Sequence, residues 1–215
     1  MVFGLVTTHA SAQSEQNAAD DPITAINVYD AIVTLPQPSW SGTSTDGRPD
    51  IEQSRYYKDQ KGPQFIFEQI PKDEEFESWT RLYAVFGFHS GRDSNIPLDA
   101  FVAASVQQFF NSCGPANVKV DLLHRSRVAV TMIVLCRDSP NGRREIGYGP
   151  GIGQVGLFTF ARYRNTLLKI YQEWRGSAFE LDEPDTWPVD QSELKMMIER
   201  FQTIRVSEMR PFPGQ

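Results

Sequence analysis

The segment Gly151-Ile-Gly153-Gln-Val-Gly156 reproduces the G-x-G-x-x-G spacing that cradles a dinucleotide pyrophosphate, so nucleotide chemistry is the first function to weigh. That fingerprint works where the glycines end an apolar strand and open a helix whose free N–H groups face the phosphates. Here the preceding residues are Gly147-Tyr-Gly-Pro150, and the following Leu157-Phe-Thr-Phe160 alternates as a strand. The expectation is a glycine-rich loop leading into a hairpin, with no nucleotide and no cofactor. His89 and His124 carry side chains that can act as general bases. Each closes a predicted strand, and neither belongs to a G-x-S-x-G or H-E-x-x-H pattern, so both read as surface histidines. Glu74, Glu75 and Glu77 share an acidic turn, where neighbouring carboxylates ordinarily form a solvated rim. No catalytic residue is assigned from these patterns, and the chain reads as more a binding protein than an enzyme.

Cys113 and Cys136 are the only two cysteines. They lack the C-x-x-C spacing of a metal site, so no metal is expected. In a reducing compartment they would be small buried hydrophobes; in an oxidising one they would pair. Ala10-Ser-Ala12, followed by the polar Gln13-Ser-Glu-Gln-Asn17, resembles what a signal peptidase cleaves, although Val2–Val6 is the whole apolar run and no basic residue precedes it. Residues 1–12 are read as a residual signal peptide whose start lies upstream; the alternative is an N-terminus that matches by chance. With export, Cys113 and Cys136 form a disulfide and the protein is periplasmic or extracellular.

The elements that must position these residues follow from periodicity. Residues 13–25 form a flexible leader, 26–206 a single α+β domain and 207–215 a C-terminal tail. Ile26, Val28, Ala31, Val33 and Leu35 suggest one strand with an irregularity, ended by Pro36-Gln-Pro38. A loop rich in Ser, Gly, Thr and Asp follows. Gln64–Ile70 and Thr80–Phe88 alternate as strands. Pro97–Asn111 carries apolar residues at helical spacing and is stopped by Gly114-Pro115. Val118–Leu122 is a strand, and Val128–Leu135, apolar almost throughout, reads as central and covered on both faces. Val155–Arg162 and Thr166–Trp174 form a hairpin, and Asp190–Ile204 a helix opened by a capping Asp190. The result is a mainly antiparallel sheet of about six strands flanked by two main helices.

A net charge of −6 argues against a nucleic-acid surface, which rests on clustered Lys and Arg. No apolar stretch approaches the roughly 20 residues that span a bilayer, so no transmembrane anchor is expected. Most aromatic residues fall on predicted strands and belong to the core. Trp40, Tyr56 and Tyr57 on the long loop and Trp187 before the last helix have no place there, and are read as a partner or ligand surface.

The run Phe65-Ile-Phe-Glu-Gln-Ile-Pro-Lys-Asp-Glu-Glu-Phe-Glu-Ser-Trp79-Thr80, with Cys113, Cys136 and the aromatic-Arg pair Trp174-Arg175, resembles a recurring pattern in uncharacterised small exported proteobacterial proteins. The order of elements is similar to the Mog1/PsbP-type fold; another α+β sandwich, such as the NTF2-like one, is the alternative. Gly114 between Cys113 and Pro115, and Arg137 after Cys136, depart from the pattern. The resemblance implies an exported accessory of binding or assembly in the bacterial envelope, whose partner is another envelope protein or a small ligand, and it transfers no catalytic residue. The competing readings are an envelope hydrolase using His89 or His124 and a small-ligand-binding protein with a cavity between the sheet and the 30s–60s loop.

Overall fold

A computed structural model describes residues 23–42, 51–91 and 96–208. The expected signal remnant, the leader up to residue 22 and the tail from residue 209 lie outside the described residues. The first predicted strand is a hairpin, β1 (Ile23–Val28) and β2 (Ala31–Pro36). Val28 pairs with Ala31, which leaves Tyr29-Asp30 as the turn, with Tyr29 at a φ of 55°. The buried positions step from even (Ile26, Val28) to odd (Ala31, Val33, Leu35) at that turn; this was the irregularity in the alternation. No Gly or Asn-Gly marks the turn, so the usual sequence signal is missing.

β3 (Ser54–Lys61) was not anticipated, and it corrects the placement of Tyr56 and Tyr57 on a loop. Its sequence, Ser-Arg-Tyr-Tyr-Lys-Asp-Gln-Lys, has no apolar alternation because the strand lies at a sheet edge, where charged side chains discourage pairing with other chains. β4 (Gln64–Pro71), β5 (Arg81–His89), α1 (Leu98–Cys113), β6 (Val118–Arg125), β7 (Ala129–Cys136), β8 (Ile152–Tyr163), β9 (Thr166–Ser177), α2 (Gln191–Phe201) and β10 (Arg205–Glu208) follow. Seven strands form one antiparallel sheet in the order β3-β4-β5-β9-β8-β7-β6, and β1, β2 and β10 form a second. β7 is therefore one strand from the edge and not central. Its apolar run reflects cover on both faces: Val130, Met132 and Val134 join one core, Ile133 and Leu135 the other.

The seven-stranded sheet is the middle layer. One face packs against the three-stranded sheet and α2 through residues such as Val33, Tyr83, Leu157, Trp174 and Met197. The other packs against α1 through Ile70, Leu82, Phe158, Phe160 and Tyr171. Asp190 caps α2 as expected, accepting from the amides of Ser192 (2.7 Å) and Glu193 (3.4 Å). α2 ends at Phe201 rather than Ile204 because the chain turns there into β10, which pairs with β2. Gly114, at a φ of 78°, stops α1. The architecture is α+β, a large antiparallel sheet with two segregated helices. No helix among the described residues is long and apolar enough to cross a membrane.

Candidate functional site

On β9, Lys169, Tyr171, Glu173 and Arg175 are spaced two apart, so a strand sends all four side chains to one face. That face lies beneath α1. Register brings Glu68 of β4 into the same row, through Ala84 of β5, to Tyr171. On the other side of β9, Gly156 stands opposite Glu173 and Gln154 opposite Arg175. Gly156 cannot take a side chain, since a Cβ there would lie 2.3 Å from the Phe158 ring. Gln108, Phe109, Ser112 and Cys113 of α1 form the roof, and Ser139, Arg143, Ile146 and Tyr148 close one side. The space between them, open to solvent on one side, is about 400 Å³.

Glu173 is only 7% exposed. Its carboxyl is pushed up to about 7, chiefly by burial and secondarily by Glu68, against the opposing effects of Lys169, Arg175 and a hydrogen bond from Gln154. Burial likewise raises Glu68 and lowers Lys169, whose ammonium lies 4.5 Å from the Tyr171 ring centre and 5.7 Å from that of Phe86. Tyr148 and Tyr171 are held neutral by burial. The cavity thus offers a carboxyl that exchanges its proton near neutral pH, a second carboxyl, a half-buried amine and the rings of Phe76, Trp79 and Phe109. The carboxyls can accept hydrogen bonds from a polar head, the Lys169 amine can donate one, and the rings can cover a flat apolar body.

Arg175 supports the wall. Its Nε donates to the Trp79 carbonyl (2.8 Å) and Nη1 to the Ile146 carbonyl (2.8 Å), while the guanidinium stacks 4.0 Å from the Trp79 ring centre. Gly147, at a φ of 81°, lets the loop lie against it, since a Cβ there would meet Nη1 at 2.5 Å. Ser139 is held in the loop, donating to the carbonyls of Gly149 (3.1 Å) and Ile152 (2.9 Å).

Cys113 and Cys136 form the expected disulfide, joining the end of α1 to the end of β7 with a Cα separation of 5.9 Å. Cys113 also borders the cavity. The four aromatic residues do not converge. Tyr57 lies opposite Glu68 in register, on the cavity face, and meets the edge of Phe76. Tyr56 points to the other face and stacks on Phe67. Trp40 is half-buried, donates to Ser54 Oγ (3.0 Å) and lines a shallow groove with Arg81. Trp187 packs beside Phe179 and donates to the Glu180 carbonyl (3.1 Å). His89 meets Thr166 Oγ1 (3.2 Å), which donates to Asp30 (2.6 Å), whereas His124 is exposed on β6 at the far edge. The two histidines therefore share no pocket. Glu74 closes its turn by accepting from the backbone and hydroxyl of Thr80 (both 2.6 Å). Gly153 and Gly156 lie inside β8, and no helix follows them. Glu68, Lys169 and Glu173 were missed; the signal was a polar residue at every second position of an otherwise apolar strand.

No protein-family model matches the sequence, and no curated protein matches it. Among solved structures, the chain is similar to the Saccharomyces cerevisiae Ran-binding protein Mog1p, at 11% identity and a TM-score of 0.42 over 86% of this chain and 95% of that one. A point mutant of Mog1 is similar to the same degree, at 12% identity and a TM-score of 0.42 over 87% of this chain and 97% of that one. At this TM-score, nothing about the present protein rests on the likeness.

Proposed function

We propose that the protein is a non-catalytic binding protein of the bacterial envelope and that its ligand occupies the cavity beneath α1. The carrying observation is Glu173, a carboxyl less than one-tenth exposed that borders an open space of about 400 Å³. A leucine there would fill the space and avoid desolvating a charge, so this residue is poorly explained by stability. The site suits a small ligand, or a partner's side chain, with hydrogen-bond donors at one end and a flat apolar body. None of the residues lining the cavity belongs to the described residues 37–42 or 51–61, and the cavity is polar at its base. An envelope location is supported by the Cys113–Cys136 bridge and by Ala10-Ser-Ala12.

The test compares wild type with the double variant Lys169→Met/Glu173→Leu, which removes the opposite charges of Lys169 and Glu173 together. Thermal shift against a panel of small amines and polar aromatic compounds, and affinity capture from envelope extracts, read binding. The double variant is expected to be as stable as wild type or more so, by up to about 4 kcal/mol, and to lose the ligand. A large loss of stability, or retained binding, would show that the charges serve the fold. The near-neutral carboxyl of Glu173 also favours one second reading, a hydrolase with Glu173 as general base. Turnover of chromogenic ester or glycoside substrates that disappears in Glu173→Gln would select it.

A further inference from the structure

The two edges of the seven-stranded sheet differ in chemistry. β3 presents Arg55, Lys58, Asp59 and Lys61 around the exposed Tyr56 and Tyr57, a run dense in the charges that keep an edge unpaired and without exposed aliphatic side chains. β6, at the other edge, has β7 on one side and no paired strand on the other among the described residues. It exposes Val120 (37%), Leu122 (56%) and Leu123 (41%), with Val128 (60%) just beyond in the chain. An edge that carries exposed apolar side chains and no paired strand is a template for another strand.

The order of residues on β6 indicates which strand. Val118 to Leu122 reads Val-Lys-Val-Asp-Leu, with acid and base placed symmetrically about Val120. If two copies run antiparallel about a two-fold axis through Val120, Val120 faces itself, Lys119 faces the partner's Asp121 twice, and Val118 faces the partner's Leu122 twice. Directly opposed residues share a sheet face, so both ion pairs fall on one face and the apolar contacts on the other. Register with β7 agrees: Val118, Val120 and Leu122 stand opposite Cys136, Val134 and Met132 on the α1 face, and Lys119 and Asp121 opposite Leu135 and Ile133. The irregularity between Leu122 and His124 ends the regular segment, which limits pairing to this five-residue run. We propose that β6 pairs antiparallel with β6 of a second copy, joining the two large sheets edge to edge in a symmetric dimer.

Analytical ultracentrifugation over a range of concentrations tests this. All proteins carry Asp182→Ala, so that the exposed ion pair Lys119 makes with Asp182 (2.9 Å) does not enter the comparison. This background protein is expected to dimerise. Asp121→Lys opposes lysines at both ion-pair positions and Lys119→Asp opposes two acids; each is expected to weaken the dimer at least tenfold. Lys119→Asp/Asp121→Lys restores opposite charges and is expected to recover the dimer. Circular dichroism checks that each variant is folded, and hydrogen exchange at the β6 amides should slow as concentration rises. A protein that stays monomeric at every concentration, a dimer indifferent to Asp121→Lys, or a double variant no better than the single ones overturns the proposal. The monomeric outcome would assign the β6 edge to a different occupant, whether another protein or the chain's own terminal residues.

Discussion

Glu173 holds its proton more tightly in the folded protein, at about 7, than an exposed glutamate does, and the sign of its effect on stability follows from that difference. Because the folded-state value is raised, stability is greatest below the unfolded value near 4.5 and falls as pH rises towards 7. Above that range the deficit is complete, at roughly 3 kcal/mol. Burial is the largest cause; Glu68 adds to it, and Lys169, Arg175 and Gln154, which also face the group, oppose it; Glu68, itself raised, slopes the same way. Asp190, lowered first by its hydrogen bond to the Ser192 side chain, slopes the other way at lower pH. The comparison that isolates Glu173 is therefore the urea stability of wild type minus that of Glu173→Gln between pH 4.5 and 8. The difference is expected to turn against wild type as pH rises, and a flat difference would contradict the buried-carboxyl account.

At the scale of elements, α1 is a lightly held roof. Of its sixteen residues only Leu98 and Cys113 are fully buried, whereas α2 buries Leu194, Met197 and Phe201 in a shorter length. The disulfide fixes the end of α1 that borders the cavity. A closed loop spanning a sequence separation of 23 restricts the unfolded chain by about 3 kcal/mol. Reduction, or Cys113→Ala/Cys136→Ala, is expected to lower the stability by about that amount and to raise hydrogen exchange in α1 more than in α2. Equal effects on both helices would show that α1 is held chiefly by its apolar contacts. The helices and the β8–β9 hairpin were legible because their signals are local: periodicity, a capping Asp190 and Gly114. β3 was not, because an exposed edge strand needs no apolar alternation.

At the scale of the whole molecule, two apolar cores share one sheet, so neither is independent of the other. Met197 is fully buried against the three-stranded sheet side, and Phe158 is 1% exposed on the α1 side. Met197→Ala and Phe158→Ala are each expected to cost about 2–5 kcal/mol and to lower a single unfolding midpoint. Tryptophan fluorescence and far-ultraviolet circular dichroism should give the same midpoint in both variants. A transition resolved into two steps would mean that the layers fold separately.

The sequence by itself determined the α+β class, the two helices, the hairpin at 155–174 and the dismissal of the glycine motif as a nucleotide site. Each of these depends on neighbours within a few residues along the chain. Only the tertiary structure decided that Glu68 joins Lys169 and Glu173, because register across β5 brings together residues about a hundred positions apart. It also separated His89 from His124, scattered the four candidate aromatics, and moved β7 out of the centre. Periodicity reports how many faces of a strand are covered. It does not report which strand lies beside it, and the cavity exists only where that pairing, Gly156 and the roof of α1 meet.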